Sequence, residues 1–357
     1  MKKISIILSI IIVVCSILVL LVYKNGISSV SNNDTKVEFI VEKGSTYNSI
    51  SKDLKNKNLI KSELMYKIFI KLNKPKSLEA GKYNLSENMN VREIVNELSK
   101  GSNYNNETIK ITFKEGKNMR GIAKIINDNT SNTEEDVFNL LKDKEYINSL
   151  INEYWFLTDN ISKDEIYYPL EGYLFPDTYE FLSKDVSVKD IFKTMLDEMN
   201  NKLKDLKEDI TNSKYNIHEL ITLASIVELE GSNSNDRAKV AGVFYNRLKS
   251  GWSLGSDVTT YYAEKKDDWS GLTYNELNKC NSYNTRGNCV KGLPIGPICN
   301  PGLESIKAVI NPEITDNYYF VADCDGKTYL NKTESGHNST IKKLKNEKKW
   351  CDNWLVI

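Results

Sequence analysis

The residues best suited to chemistry are two glutamates that close an apolar run. Residues 223–230 read LASIVELE and place Glu228 and Glu230 at the end of a predicted helix. Glycosidic cleavage needs a carboxylic acid that protonates the leaving oxygen, and partly apolar surroundings keep such a group protonated. Glu228, which follows Ala224-Ser225-Ile226-Val227, fits that role. The competing reading is a solvent-facing glutamate near a helix C-terminus, where a negative charge is mildly unfavourable. Positions two apart on a helix point roughly 200° away from each other. Glu228 and Glu230 therefore do not form a facing pair, and one of them does the chemistry.

Other chemistries lack their residues. There is no G-x-S-x-G, no G-x-x-x-x-G-K-[ST] and no H-E-x-x-H, the spacings that build a nucleophile elbow, a phosphate loop or a zinc helix. The 357 residues hold two histidines, His218 and His337. That scarcity disfavours a His-rich metal site and confines any Ser–His–Asp triad to one of those two. No metal or organic cofactor is expected. Lysine plus arginine (48) equals aspartate plus glutamate (48), so no basic field points to nucleic acid.

The elements that position the glutamates follow from periodicity. Residues 218–229 carry Leu220, Leu223, Ala224 and Val227 at helical spacing. Helices are also predicted over 190–206 and 236–248. The aromatic block 170–181 precedes them. Residues 252–301 are rich in loops, with Gly292, Gly296, Pro294, Pro297 and Pro301, and read as the wall of an open groove. A hairpin over 317–322 and 327–330 and a helix over 339–349 complete this part. Upstream, a small unit is predicted from strand 37–41, helices 45–54 and 62–72, strand 80–85 and helix 90–99. Strand 108–113, a turn at 114–116 and helices 119–126 and 134–141 follow. The opening "strand, x-x-Gly, helix" occurs at 41–44 and again at 113–116, a weak internal echo.

Residues 4–22 are nineteen uncharged residues behind Lys2 and Lys3. At about 1.5 Å each they approach the roughly 30 Å hydrocarbon core. A signal peptide would have an apolar region of about 7–15 residues and a small-x-small cleavage site; Val19 to Tyr23 offers none. An uncleaved single-pass anchor is therefore expected. Lys2 and Lys3 favour a cytoplasmic N-terminus, although Lys24 weakens the asymmetry. Beyond Cys15 in this span, the cysteines are Cys280, Cys289, Cys299, Cys324 and Cys351. None is spaced as a zinc knuckle, disulfides or free thiols suit an external domain better, and at least one of the five stays unpaired.

Six ordered blocks resemble a known family. Residues 170–181 (LEGYLFPDTYEF), 223–230 (LASIVELE), 240–248 (VAGVFYNRL), 282–285 (SYNT), 292–302 (GLPIGPICNPG) and 319–322 (YFVA) are similar to those of the MltG/YceG-like endolytic murein transglycosylases. The resemblance covers essentially the whole chain. It implies an α+β fold: a cytoplasmic tail at 1–3, a transmembrane helix at 4–22, a linker at 23–36, a LysM-like α/β subdomain at 37–104 and a larger mixed α+β catalytic domain at 105–357. It implies a cell-membrane enzyme, its catalytic domain outside, that cuts nascent peptidoglycan strands alongside the synthases and leaves 1,6-anhydro-N-acetylmuramic acid ends. The family's catalytic glutamate falls on Glu228 and a second, less certain one on Glu230. Asn246, Ser256, Asp257, Tyr283, Asn284 and Thr285 fall in blocks resembling the glycan groove, as contacts or as loop scaffolding. Glu171 and Asp177 lie in the aromatic block as binding candidates, or as cap and turn carboxylates.

The chain departs from the family pattern at Val258 and Ile295, where prolines are usual, and over 286–290. These changes put groove shape in doubt rather than the reaction. A transglycosylase can work with one carboxylate, because the muramic C6 hydroxyl replaces water as the nucleophile. Two rivals remain: a non-catalytic wall-binding scaffold, and a muramidase-type hydrolase using Glu171 or Asp257 as second carboxylate.

Overall fold

The structure, a computed structural model, describes residues 2–42, 44–100, 108–231 and 233–351, with side chains from residue 14 onward except 234 and 235. The chain divides into two units, Met1–Thr108 and Ile109–Ile357. The boundary expected at 104/105 lies outside the described residues.

The first unit contains α1 (Lys2–Gly26), β1 (Lys36–Val41), α2 (Ser51–Asn56), α3 (Glu63–Asn73), β2 (Gly81–Ser86) and α4 (Val91–Ser99). Strands β1 and β2 pair antiparallel, with Val37 opposite Leu85 and Phe39 opposite Tyr83. Side chains alternate across a strand, so Phe39, Val41, Tyr83 and Leu85 share one buried face. Helix α4 starts with a capping box between Asn90 and Glu93 and buries Val91, Ile94, Val95 and Leu98 against it.

Two expectations change here, and a third lies partly outside the described side chains. The helix expected over 45–54 is shorter, because Thr46 and Ser49 exchange side-chain hydrogen bonds with each other's backbone. Such local bonds compete with a helical start. Residues 23–36, read as a linker, begin inside α1 and are tied to the unit: Val91 N–H donates to the Ile27 carbonyl and Ser31 N–H to that of Glu87. The expected span at 4–22 lies in α1, partly outside the described side chains. Among the described residues, no helix is long and apolar enough to cross a membrane.

The second unit contains β3 (Ile109–Thr112), α5 (Met119–Asn129), α6 (Glu134–Lys142), α7 (Lys144–Glu153), β4 (Thr178–Phe181), α8 (Val188–Leu203), α9 (Lys207–Asn212), α10 (Ile217–Glu230), α11 (Ser234–Lys249), α12 (Asp257–Ala263), α13 (Tyr274–Asn278), α14 (Leu303–Ile310), β5 (Tyr319–Ala322), β6 (Thr328–Asn331) and α15 (Glu334–Asn346). Strands β3 and β4 pair antiparallel, as do β5 and β6. Together the units form a mixed α+β fold dominated by helices.

Helix α10 is the spine of the second unit. Asn216 and Glu219 cap it reciprocally, and apart from Glu219 every residue from Ile217 to Val227 is buried. A helix apolar on all sides is a core helix, and α10 packs against α11, α12 and α14. The face at Leu220, Leu223, Ala224 and Val227 is thus only part of what it buries. Over 252–301 the backbone is irregular apart from α12 and α13, and a Cys280–Cys289 disulfide closes one loop. Cys324 pairs with Cys351, and Cys299 remains a buried thiol.

Candidate active site

Glu228 is the first residue beyond the buried run Leu220–Val227 of α10. Its side chain is 5% exposed, and both oxygens accept hydrogen bonds. Arg237 Nη2, in the first turn of α11, donates to Oε1 at 2.7 Å. The Gly302 N–H donates to Oε2 at 2.9 Å and the Ser305 hydroxyl at 2.7 Å, both from the start of α14. Charge-assisted bonds of this kind fix a carboxylate in direction as well as place.

A second carboxylate stands close by. Glu115, in the turn between β3 and α5, has Oε2 at 3.8 Å from Arg237 Nη2. Partial burial and the Glu228 charge push its carboxyl up, with Arg237 opposing. Two glycines permit this crowding. A Cβ at Gly302 would fall 1.9 Å from Glu115 Oε1, and one at Gly116 would sit 3.2 Å from Leu229 Cδ2 and 3.8 Å from Glu228 Cγ. Gly116 also has φ +75°, a left-handed conformation that glycine adopts without strain.

The turn carrying Glu115 is zipped to the segment carrying Gly302. Gly116 N–H donates to the Asn300 carbonyl and Asn300 N–H to the Lys117 carbonyl, each at 2.9 Å. Glu171 anchors this junction from the interior. It is 1% exposed, and its Oε2 accepts from Met119 N–H at 2.9 Å and from the Tyr262 hydroxyl at 3.0 Å. Burial pushes the Glu171 carboxyl up to about 7. Glu171 thus holds the start of α5 and does not contact Glu228. Asp177 lies apart from the site, exposed, accepting from Thr178 N–H in the turn before β4.

Glu230 points elsewhere, as its offset on α10 requires. Its Oε1 accepts from the Ser256 hydroxyl at 2.6 Å, and burial pushes its carboxyl up against the lowering effect of that bond. Ser256 N–H donates to Thr285 Oγ1, and the Thr259 and Thr285 hydroxyls bond each other at 2.9 Å. Asn284 accepts from Thr260, Arg286 and Gly287 and donates to the carbonyls of Glu276, Leu277 and Lys279. Tyr283 is fully buried, its hydroxyl accepting from Tyr167 N–H. Asn246 donates to the carbonyls of Thr315 and Asn317. Asp257 pairs with Arg286. In this arrangement Asn246, Tyr283, Asn284 and Thr285 scaffold loops, while Asp257 is half-exposed.

His218 is occupied structurally. The Ile295 carbonyl can only accept, so His218 Nε2 carries the proton and donates at 2.8 Å, while Nδ1 accepts from the Tyr173 hydroxyl at 2.8 Å. Val258, one of the departures, is buried in the first turn of α12, where a proline would also fit.

Sequence reasoning missed Arg237, Glu115, Ser305 and the Gly302 N–H. Only weak signals pointed to them: an arginine just inside the helix after Glu228, the repeated x-x-Gly opening at 113–116, and a Gly/Pro-dense segment ending at Gly302.

A mixed α+β unit grips a buried carboxylate at the end of its core helix, an arrangement suited to acid–base chemistry. The chain belongs to the YceG-like family, whose pattern matches residues 39–343. It is 35% identical over 321 residues to the endolytic murein transglycosylase of Bacillus subtilis, covering 89% of this chain and 88% of that protein. It is 30% identical over 333 residues to the endolytic murein transglycosylase of Streptococcus pneumoniae D39, covering 89% of this chain and 60% of that longer protein. A crystal structure of a YceG-like protein from Listeria monocytogenes superposes with a TM-score of 0.61 at 33% identity, covering 86% of this chain and all of that one.

Proposed function

We propose that this chain is an endolytic peptidoglycan lytic transglycosylase that cuts nascent glycan strands and limits their length. Glu228 is its acid and base. The observation that carries this reading is the Glu228 carboxylate, almost wholly withdrawn from water yet gripped at both oxygens by groups from two other elements. Relatives named endolytic murein transglycosylases over most of this chain support the reaction class.

The steps follow from one carboxylate. Glu228 protonates the glycosidic oxygen between N-acetylmuramic acid and N-acetylglucosamine, and the C1–O bond breaks. As the anion it takes the proton of the muramic C6 hydroxyl, which attacks C1 of the same sugar. The nucleophile is already held in the substrate, so proximity supplies much of the rate. Glu171 and Asp257, candidates for the second carboxylate of a hydrolase, are engaged by Met119, Tyr262 and Asn300 and by Arg286.

The apolar run at 4–22 supports a single-pass membrane anchor with residues 1–3 inside and the rest outside. The strand and helix order from β1 to α4 supports a LysM-like unit at 37–104, followed in the chain by a catalytic domain at 105–357, and synthases of the same strands are the expected partners.

The test is the product. Long uncross-linked strands are digested, and the fragments are weighed before and after borohydride. The expected new ends are 1,6-anhydro sugars, one water lighter than hydrolytic ends and inert to reduction, formed by cuts inside the strand. Reducible ends would make the enzyme a hydrolase. No new ends at all would leave a wall-binding scaffold.

A further inference from the structure

One cation stands between two carboxylates at this site. Arg237 Nη2 is 2.7 Å from Glu228 Oε1 and 3.8 Å from Glu115 Oε2. The guanidinium side chain is 13% exposed, and its Nε is buried without a hydrogen-bond partner among the described residues. Turning the guanidinium from one carboxylate to the other therefore breaks no hydrogen bond at Nε.

The arrangement bears on how one glutamate serves first as acid and then as base. As it stands, both Glu228 oxygens accept from donors, which suits the base. To act as acid, Glu228 must carry a proton on one of them, and a cation paired with the carboxylate disfavours that form. The Gly302 N–H is fixed by its backbone, and the Ser305 hydroxyl can rotate in place. Arg237 is the donor with another carboxylate within reach.

The geometry points to Glu115 as a positioning residue: it receives Arg237 when Glu228 takes up its proton and returns Arg237 when Glu228 becomes the base. This rests on the acid–base reading of Glu228. The exchange balances in charge. Before the reaction the proton is either on Glu115, with Arg237 paired to Glu228, or on Glu228, with Arg237 paired to Glu115 and the acid ready. Once that proton has gone to the leaving oxygen both carboxylates are anions, balanced by Arg237 and the positive charge developing at C1, until the C6 proton returns to Glu228; no stage leaves an uncompensated charge in a half-buried site, which would be costly. Burial and the Glu228 charge push the Glu115 carboxyl up, with Arg237 opposing.

The groups that face Glu228 come from every element around it. They are Arg237 from α11, Glu115 from the β3–α5 turn, Ser305 from α14, and the buried Cys299 thiol. Glu304, also on α14, acts on Glu115. Of these, Glu115 and Arg237 are the pair that share a contact with a movable charge.

The experiment uses the full-length protein in detergent, with uncross-linked glycan strands, and follows anhydro product against pH for E115Q, R237Q, E115Q/R237Q and E228Q. Glu115 is half-exposed, so E115Q should fold, and its melting temperature is measured alongside. We expect E115Q to lower kcat roughly tenfold to a hundredfold while KM stays within about twofold. Its alkaline limb should move to lower pH, because Arg237 then belongs wholly to Glu228 and favours the ionised carboxylate. R237Q should move that limb the other way, and E115Q should add nothing in the R237Q background. Wild-type kcat and limb in E115Q would overturn the proposal. So would a loss of the same size in both backgrounds, or a fall in kcat with an unmoved limb, since either makes Glu115 merely structural. Activity retained by E228Q would instead remove the reading of Glu228 itself. Reducible ends from the wild type would recast Glu115 as a hydrolase's second carboxylate and so overturn its role as Arg237's alternative partner.

Discussion

Glu228 and Glu230 lie two residues apart on one helix, yet the structure treats them in opposite ways. Around Glu230 the neighbours are committed to one another: Ser256, Thr259 and Thr285 close a hydroxyl network. Arg247 spends its guanidinium on the carbonyls of Tyr318 and Leu254, and Arg286 is paired with Asp257. Around Glu228 the principal donor has a second acceptor in reach. A saturated polar network gives rigidity and nothing to exchange. Chemistry needs a group whose partners can change as its proton comes and goes.

The sharpest way to break this contrast is Glu228→Gln, which keeps size and shape but removes the transferable proton. It should lower kcat by about 10²–10⁴-fold with little change in melting temperature. Wild-type turnover in that variant would end the distinction between the two glutamates.

Glu171 tests whether a buried carboxylate can be structural alone. Its carboxyl is pushed up to about 7 from an ordinary value near 4.5, so the folded state holds the proton more tightly than the unfolded chain. The stability it contributes is full below about pH 4.5 and is lost as pH rises through about 7. The total is on the order of 3 kcal/mol. Thermal melts from pH 5 to 8 should fall for the wild type and flatten for Glu171→Gln. Parallel curves would mean that Glu171 is ionised throughout.

The smallest effect is expected at Glu230. Glu230→Gln should keep the Ser256 hydrogen bond and cost less than about tenfold in kcat. Ser256→Ala, which strips the carboxylate of its partner, should cost about 1–3 kcal/mol of stability. A loss from Glu230→Gln as large as that from Glu228→Gln would make the pair functionally equivalent.

Several parts of this molecule were legible in the chain. Helix α10 announces itself through its apolar run over 218–229, and Glu228 through its place at the end of that run. The pairing of β5 with β6, expected as a hairpin over 317–322 and 327–330, is likewise local. Elsewhere local signals misled. Thr46 and Ser49 looked like a helix start and instead hold a turn. Glu171 and Asn284 read in the chain either as ligand contacts or as cap, turn and loop scaffolding, and in the fold their side chains hold backbone groups. They are polar because buried backbone N–H and carbonyl groups require partners.

The sequence by itself determined which helix forms the core and which carboxylate emerges from its end. Periodicity and capping act over a few residues and are written in order along the chain. Only the tertiary structure decided what surrounds that carboxylate. Arg237 arrives from 9 residues away, the Gly302 N–H from 74 and the Ser305 hydroxyl from 77. Glu115 comes from a turn before α5, pressed in by backbones at Gly116 and Gly302 that tolerate no Cβ there without displacement. Such neighbours are chosen by packing in three dimensions, where a glycine's missing methyl and an arginine's second partner leave no periodic trace in the chain.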